Sequence, residues 1–189
     1  MRIISGSARR VNLTAPKGLY TRPTADMAKE SLFNIISAEI RGTQFLDLFC
    51  GSGAIGLEAL SRGAKEAVFV ENFKPAIAAT LQNLEKTKLT QHAQLLEMSV
   101  EKAIDKLDIS GCSFDIIFLD PPYDTNLLTQ TLNHLAKTHL LCETGIIIAE
   151  TDSGAYEPSQ VLAPSVFELS DTRTYGRTCF LFYKWRANP

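Results

Sequence analysis

From Gln44 onward, short apolar runs alternate with longer stretches in which apolar positions recur every three or four residues. The runs predict strands at Phe45–Phe49, Ala67–Val70, Ala93–Leu96, Phe114–Leu119 and Gly145–Ala149. The amphipathic stretches predict helices at Ile55–Arg62, Pro75–Thr87, Val100–Leu107 and Asn126–His139. Strand alternating with helix implies a largely parallel sheet. The two ends read differently. Residues 2–6 and 10–14 predict a short hairpin around Ser7-Ala8-Arg9, followed by a Pro/Gly-marked loop from Pro16 to Pro23. Thr24 can cap the next helix, whose apolar face is Ala28, Leu32, Ile35, Ile36 and Ile40. Past Glu150 comes a polar, Pro-containing loop. Val166–Leu169 and Thr178–Trp185 then predict an antiparallel hairpin around Tyr175-Gly176-Arg177 that closes the sheet. The expected division is an N-terminal extension, residues 1–42, on a main domain, residues 43–189.

Bulk composition adds little to this pattern except by exclusion. The chain has 189 residues, 45% hydrophobic and 21% charged, as expected of one soluble domain with a small appendage. It contains no apolar run of the ~20 residues a membrane span needs, and its start lacks the features of a signal peptide. Cys50, Cys112, Cys142 and Cys179 form no Cys-x-x-Cys pair, which points to reduced thiols in a cytoplasmic protein. His92, His134 and His139 share no metal-ligand spacing. Charge changes the picture more. The net charge is −2, yet residues 1–30 carry Arg2, Arg9, Arg10, Lys17, Arg22 and Lys29 against Asp26 and Glu30. A basic end of this kind suits either a nucleic-acid contact or an ordinary solvated surface.

The segment from Asp47 to Gly56 ends the first core strand and opens a helix. Gly51, Gly53 and Gly56 spell G-x-G-x-x-G, and Glu71 ends the next strand 20 residues after Gly51. Tight turn, close backbone approach and an acid for ribose hydroxyls are what a nucleotide cofactor loop requires. On spacing alone a dinucleotide is admissible. Asp47 favours a different ligand: a carboxylate at a helix N-terminus opposes a diphosphate and suits a cofactor carrying positive charge, such as S-adenosylmethionine. Asp47 is equally suited to facing away and capping the loop. Phe73 suits an adenine contact or a core position, and Ser99, after the third strand, suits an adenine contact or a helix cap.

The buried run Phe114–Leu119 stops at Asp120-Pro121-Pro122-Tyr123. Neither proline can extend a sheet, so the acid, the Pro121 carbonyl and the Tyr123 ring are held in a turn beyond a strand's carboxyl end. Ligands of open α/β sheets bind at that end. Two acceptors on an exocyclic amine localise its lone pair and stabilise the positive charge that grows on nitrogen during methyl transfer. Tyr123 offers a stacking face for an extruded base.

These residues resemble the amino-methyltransferases with an (Asn/Asp)-Pro-Pro-(Tyr/Phe) motif. Arg2-Ile3-Ile4-Ser5-Gly6, Arg22-Pro23-Thr24, Ser31-Leu32-Phe33-Asn34, Leu46 to Gly53 and Leu57-Glu58-Ala59-Leu60-Ser61-Arg62-Gly63 extend the likeness. Together they resemble the RsmD-type family of 16S ribosomal RNA guanine-N2 methyltransferases over nearly the whole chain. The resemblance implies a Rossmann-like class I fold, with a mostly parallel seven-stranded sheet and methyl transfer to guanine 966. It implies as substrate 16S rRNA in the 30S subunit or a late assembly intermediate. It further implies S-adenosylmethionine as methyl donor without a metal, and a monomeric cytoplasmic enzyme. Carried over, Asp120, Pro121, Pro122 and Tyr123 form the catalytic turn. Asp47, Gly51, Gly53, Glu71, Ser99 and Asp120 hold the cofactor. Arg9, Arg10, Arg22 and Thr24 are the expected RNA contacts. Met98-Ser99 departs from the Asp or Asn that relatives often carry there. Two rivals stay open at this point: a DNA adenine-N6 methyltransferase using the same tetrapeptide, and a non-catalytic RNA-binding module of the same fold.

Overall fold

A computed structural model describes residues 1–16, 23–122, 125–152 and 163–187. In chain order the elements are α1 (Pro23–Ile35), β1 (Gln44–Asp47), α2 (Ala54–Ser61), β2 (Glu66–Glu71), α3 (Lys74–Thr87), β3 (Ala93–Glu97), α4 (Val100–Ile109), β4 (Phe114–Leu119), α5 (Thr125–Leu135), β5 (Leu141–Asp152), β6 (Phe167–Tyr175) and β7 (Thr178–Trp185). The seven strands form one sheet in the order β3-β2-β1-β4-β5-β7-β6. β1 to β5 pair in parallel, and β7 pairs antiparallel with both β5 and β6.

Side-chain alternation sends successive residues of each strand to opposite faces. One face carries Phe45, Phe69, Phe118, Ile148 and Phe180, packed with α2 and with Leu32, Phe33 and Ile36 of the α1 region. The other carries Leu46, Val70, Ile117, Ile147 and Leu181, covered by Ala103, Ile104 and Leu107 of α4 and Leu128, Leu132 and Leu135 of α5. Burial on both faces is why these strands read as continuous apolar runs in the sequence.

Two expectations are corrected here, and the N-terminal hairpin is present in a shorter form. Its arms are joined by the Ile3 N–H to the Val11 carbonyl (3.0 Å), the Arg10 N–H to the Ile3 carbonyl (2.9 Å) and the Leu13 N–H to the Met1 carbonyl (3.0 Å), with Arg2 bridged to Asn12. Beyond Ile3 the chain docks on α2: the N–H groups of Ile4 and Ser5 donate to Glu58 Oε2 (2.8 Å) and Oε1 (3.0 Å), and that of Ser7 to the Ser61 carbonyl (2.8 Å). Gly6 makes this possible. Its φ is +85°, and a Cβ there would lie 1.7 Å from the Ser61 carbonyl oxygen. Next, α5 ends at Leu135, where Thr138 Oγ1 bonds the Leu135 carbonyl (2.8 Å) and turns the chain toward β5. Finally, Ile35 is 38% exposed, because α1 stops there, whereas Ile36 and Ile40 stay buried. Residues 1–16 and α1 share the hydrophobic cluster of the sheet face they cover.

Candidate active site

The carboxyl ends of the parallel strands converge where the order reverses, between β1 and β4. This is the switch point at which open α/β sheets hold ligands. A cavity of about 760 Å³ lies there, within the usual range for a ligand of nucleoside size. Its wall brings together Gly51, Glu71, Phe73, Met98, Ser99, Asp120, Pro121 and Pro122. These residues are spread over 72 positions of sequence, and four different strand ends deliver them.

The loop after β1 is pinned from both sides. Gly51 and Gly53 take positive φ, 55° and 76°, which only glycine adopts freely. Thr80 Oγ1 donates to the Gly51 carbonyl (2.8 Å) and Asn83 Nδ2 to the Ser52 carbonyl (2.9 Å), both from α3. These two polar residues on the mostly apolar buried stripe of α3 were the overlooked sequence signal. Gly56 lies off the cavity, under the ring of Phe69, where a Cβ would approach within 2.3 Å. It serves close helix–sheet packing.

Asp47 lies behind the loop, 1% exposed, and does not line the cavity. Its Oδ2 accepts the Gly56 N–H (3.1 Å), so a carboxylate occupies the start of α2 where a diphosphate would otherwise bind. Its Oδ1 is buried without a hydrogen-bond partner among the described residues. Burial pushes the carboxyl from 3.8 up to about 7. Because the folded value is raised, the protonated form favours folding, and that stability is lost as pH rises from about 4 through about 7. Asp47→Asn removes this titration. Its thermal stability relative to the parent should therefore improve by a few kcal/mol between about pH 4 and pH 8. Melting curves that stay parallel over that interval would refute the assignment.

Glu71 is arranged to accept. Its Oε1 takes the N–H groups of Asn72 (2.8 Å) and Phe73 (2.9 Å), and its Oε2 takes that of Gly51 (3.0 Å). Glu71 also lines the cavity, and Oε2, with one bond accepted, has capacity for a ribose hydroxyl. Phe73 is 54% exposed at the cavity mouth, which excludes the core alternative. Ser99 stands at the start of α4 but makes no side-chain cap, so its hydroxyl is not committed to the helix.

Asp120 opens onto the cavity from the end of β4, Pro121 is buried beneath it and Pro122 is exposed. Crowding by surrounding protein raises the Asp120 carboxyl above the ordinary range, although its side chain still reaches solvent through the cavity. Tyr123, Arg22 and the side chain of Thr24 lie outside the described residues. Arg9 and Arg10 are exposed in the turn docked on the C-terminal end of α2. That is about 12 Å, one eight-residue helix, from the loop. Lys29 is not part of a basic surface: it is buried, 3.5 Å from Glu58. Leu127, Gln130, Thr131 and His134 of α5 complete the far wall, with His134 bonded to Asp105 (2.8 Å). Cys50 is buried 3.8 Å from Thr80, and burial pushes its thiol up, away from reactivity.

The cavity fits an adenosyl group bearing a cation: an acceptor for ribose at Glu71, apolar walls at Leu48, Val70 and Ile104, and a carboxyl at Asp120. Comparison with known proteins agrees. YlbH of Bacillus subtilis strain 168 is 41% identical over 99% of this chain and 100% of its own. Ribosomal RNA small subunit methyltransferase D of Escherichia coli K12 is 33% identical over 99% of this chain and 91% of its own. The solved structure of YhhF from Escherichia coli superposes with a TM-score of 0.84 at 31% identity, covering 100% of this chain and 99% of that one. The fold is the Rossmann-like class I methyltransferase fold. The family model described as conserved hypothetical protein 95 matches residues 1–184. With loop, acid and Asp-Pro-Pro turn assembled at one switch point, and relatives aligned end to end, the chain belongs to this RsmD-type family.

Proposed function

We propose that this protein transfers a methyl group from S-adenosylmethionine to the exocyclic N2 amine of a guanine in 16S rRNA, guanine 966 by resemblance. The carrying observation is the position of Asp120 and Pro121 in the wall of the cavity that Glu71 and Gly51 also line. S-adenosylmethionine, when bound, supplies a methyl group already activated by its sulfonium. The protein's part is therefore to hold and polarise the amine. Asp120 Oδ and the Pro121 carbonyl accept its two N–H groups, orient nitrogen toward the donor and stabilise the positive charge that develops there. Tyr123 stacks on the base, and Arg9, Arg10, Arg22 and Thr24 contact RNA. In this reading residues 1–42 form the RNA-facing extension of the transferase domain, residues 43–189.

Small-subunit RNA as substrate is supported by the name of the Escherichia coli relative. An assembled 30S subunit or a late intermediate, acted on by a monomer in the cytoplasm, is the context proposed. Among the described residues no helix is long and apolar enough to cross a membrane. The test is incubation with methyl-labelled S-adenosylmethionine and, separately, unmodified 30S subunits, naked 16S rRNA and duplex DNA, followed by mass-spectrometric mapping. Label in N2-methylguanine of the RNA is expected. Label confined to adenine of duplex DNA would replace this reading with that of a DNA methyltransferase.

A further inference from the structure

Glu150 is a half-buried acid to which the transfer reaction has so far given no task. Leu119 pairs with Ala149 across β4 and β5, so the next residues, Asp120 and Glu150, stand side by side at the carboxyl ends of adjacent parallel strands. Phe118 and Ile148, two residues earlier, belong to the same face cluster, so Asp120 and Glu150 project from the same face. Asp47 of β1 follows Phe45 onto that face as well. Asp47 sits two residues lower, level with Phe118 and Ile148, so Asp120 and Glu150 form the adjacent pair and Asp47 stands behind them. From the other flank, Thr178 of β7 hydrogen-bonds the Glu150 carboxyl. The charged groups acting on Glu150 are Asp120 and Asp47. Nearby Arg177 is engaged with Asp152, 2.6 Å away.

We propose that Glu150 is a positioning residue for Asp120: the two carboxyls share one proton, carried by Glu150, so that Asp120 presents a single fixed negative charge to the target amine. The proposal rests on the methyltransferase reading above. Two adjacent carboxyls titrate as a pair, the first charge opposing the second, so that the less hydrated one ionises only with difficulty. Burial and then the charge of Asp120 both push Glu150 above the ordinary carboxyl range, while Asp120 keeps a solvent path through the cavity and ionises first. During transfer the nitrogen–methyl bond forms as the carbon–sulfur bond breaks with its electron pair left on sulfur. One N–H proton then passes to Asp120. The pair, which held one proton, now holds two and returns one to water.

The test compares single-turnover transfer by the parent, Glu150→Ala and Glu150→Gln between about pH 5 and pH 9, with S-adenosylhomocysteine affinity measured beside it. Glu150→Ala should lower the rate roughly tenfold with affinity unchanged, and Glu150→Gln, a permanent analogue of the protonated acid, should restore most of it. The parent should also lose rate at alkaline pH as Glu150 ionises, a limb that Glu150→Gln lacks. An identical alkaline limb in the Gln variant, or a Gln variant as slow as Ala, would overturn the proposal. Infrared spectra decide it independently of turnover: the parent should show a protonated-carboxyl band at neutral pH that Glu150→Gln removes. A parent inactive on every RNA would sink the function reading. A parent active on RNA but without that band would sink only the role of Glu150.

Discussion

Asp120→Ala is expected to cut methyl transfer by roughly 10²–10³-fold while leaving S-adenosylhomocysteine affinity within about twofold. The split follows from what touches what. Cofactor-facing groups on the loop and on Glu71 are tied to the backbone by hydrogen bonds that do not involve Asp120. Its carboxylate instead stands at the end of β4, followed by a buried proline, and acts only where charge grows on the amine nitrogen. Asp120→Asn keeps one acceptor oxygen without the charge, so it should fall between the parent and Ala. Rapid-quench measurement of the chemical step on saturated enzyme separates this from a binding defect. Wild-type turnover in Asp120→Ala would remove the carboxylate from the mechanism, and a parallel collapse of cofactor affinity would assign it to binding instead.

The second large effect lies away from the chemistry. Glu58 of α2 is wholly buried and gathers four partners: the N–H groups of Ile4 and Ser5, Lys29 at 3.5 Å and Arg62 at 2.8 Å. Lys29 donates further to the Arg2 carbonyl (2.7 Å), and the Arg62 guanidinium lies 5.1 Å from the centre of the Phe33 ring. Glu58→Ala removes the shared acceptor, leaving a buried ammonium and two backbone donors poorly paired. The expected loss is about 3–5 kcal/mol, of the order of 10 °C in Tm for a chain of this size. Protease sensitivity should appear first within residues 1–16, whose attachment depends on this carboxylate. A Glu58→Leu, Lys29→Leu double variant removes both charges and should recover part of the loss. If Glu58→Ala melts within about a degree of the parent, the buried network contributes little and the extension is held by its apolar contacts alone.

Much of the architecture was legible because its signals are local. The β4 run Phe114–Leu119 was recovered residue for residue, since burial on both faces leaves only a continuous apolar stretch bounded by polar residues. The glycine loop was legible for a similar reason: positive φ at Gly51 and Gly53 excludes almost every other residue type. The seat of the N-terminal hairpin was not. Apolar alternation and a turn mark its two arms, which pair through Ile3, Val11 and Arg10, but only Glu58 and Ser61, more than 50 residues away, fix it to the end of α2.

The role of Asp47 shows the same division within the site. Sequence placed an acid before the loop, and spacing alone left it facing a cofactor or capping the turn. The fold turns Oδ2 onto Gly56 and buries Oδ1, because the pleat sends Asp47, like Phe45, to the sheet face covered by α2. Sequence by itself determined the chemistry carried at each strand end, since residue type and strand-to-loop transitions are properties of contiguous segments. Only tertiary structure decided which of those ends meet. Strand order places β1, β4 and β5 side by side, and register sets Glu150 beside Asp120, although 30 positions separate them. That adjacency comes from parallel pairing between distant segments, where cooperative burial of both sheet faces fixes neighbours that no local pattern encodes.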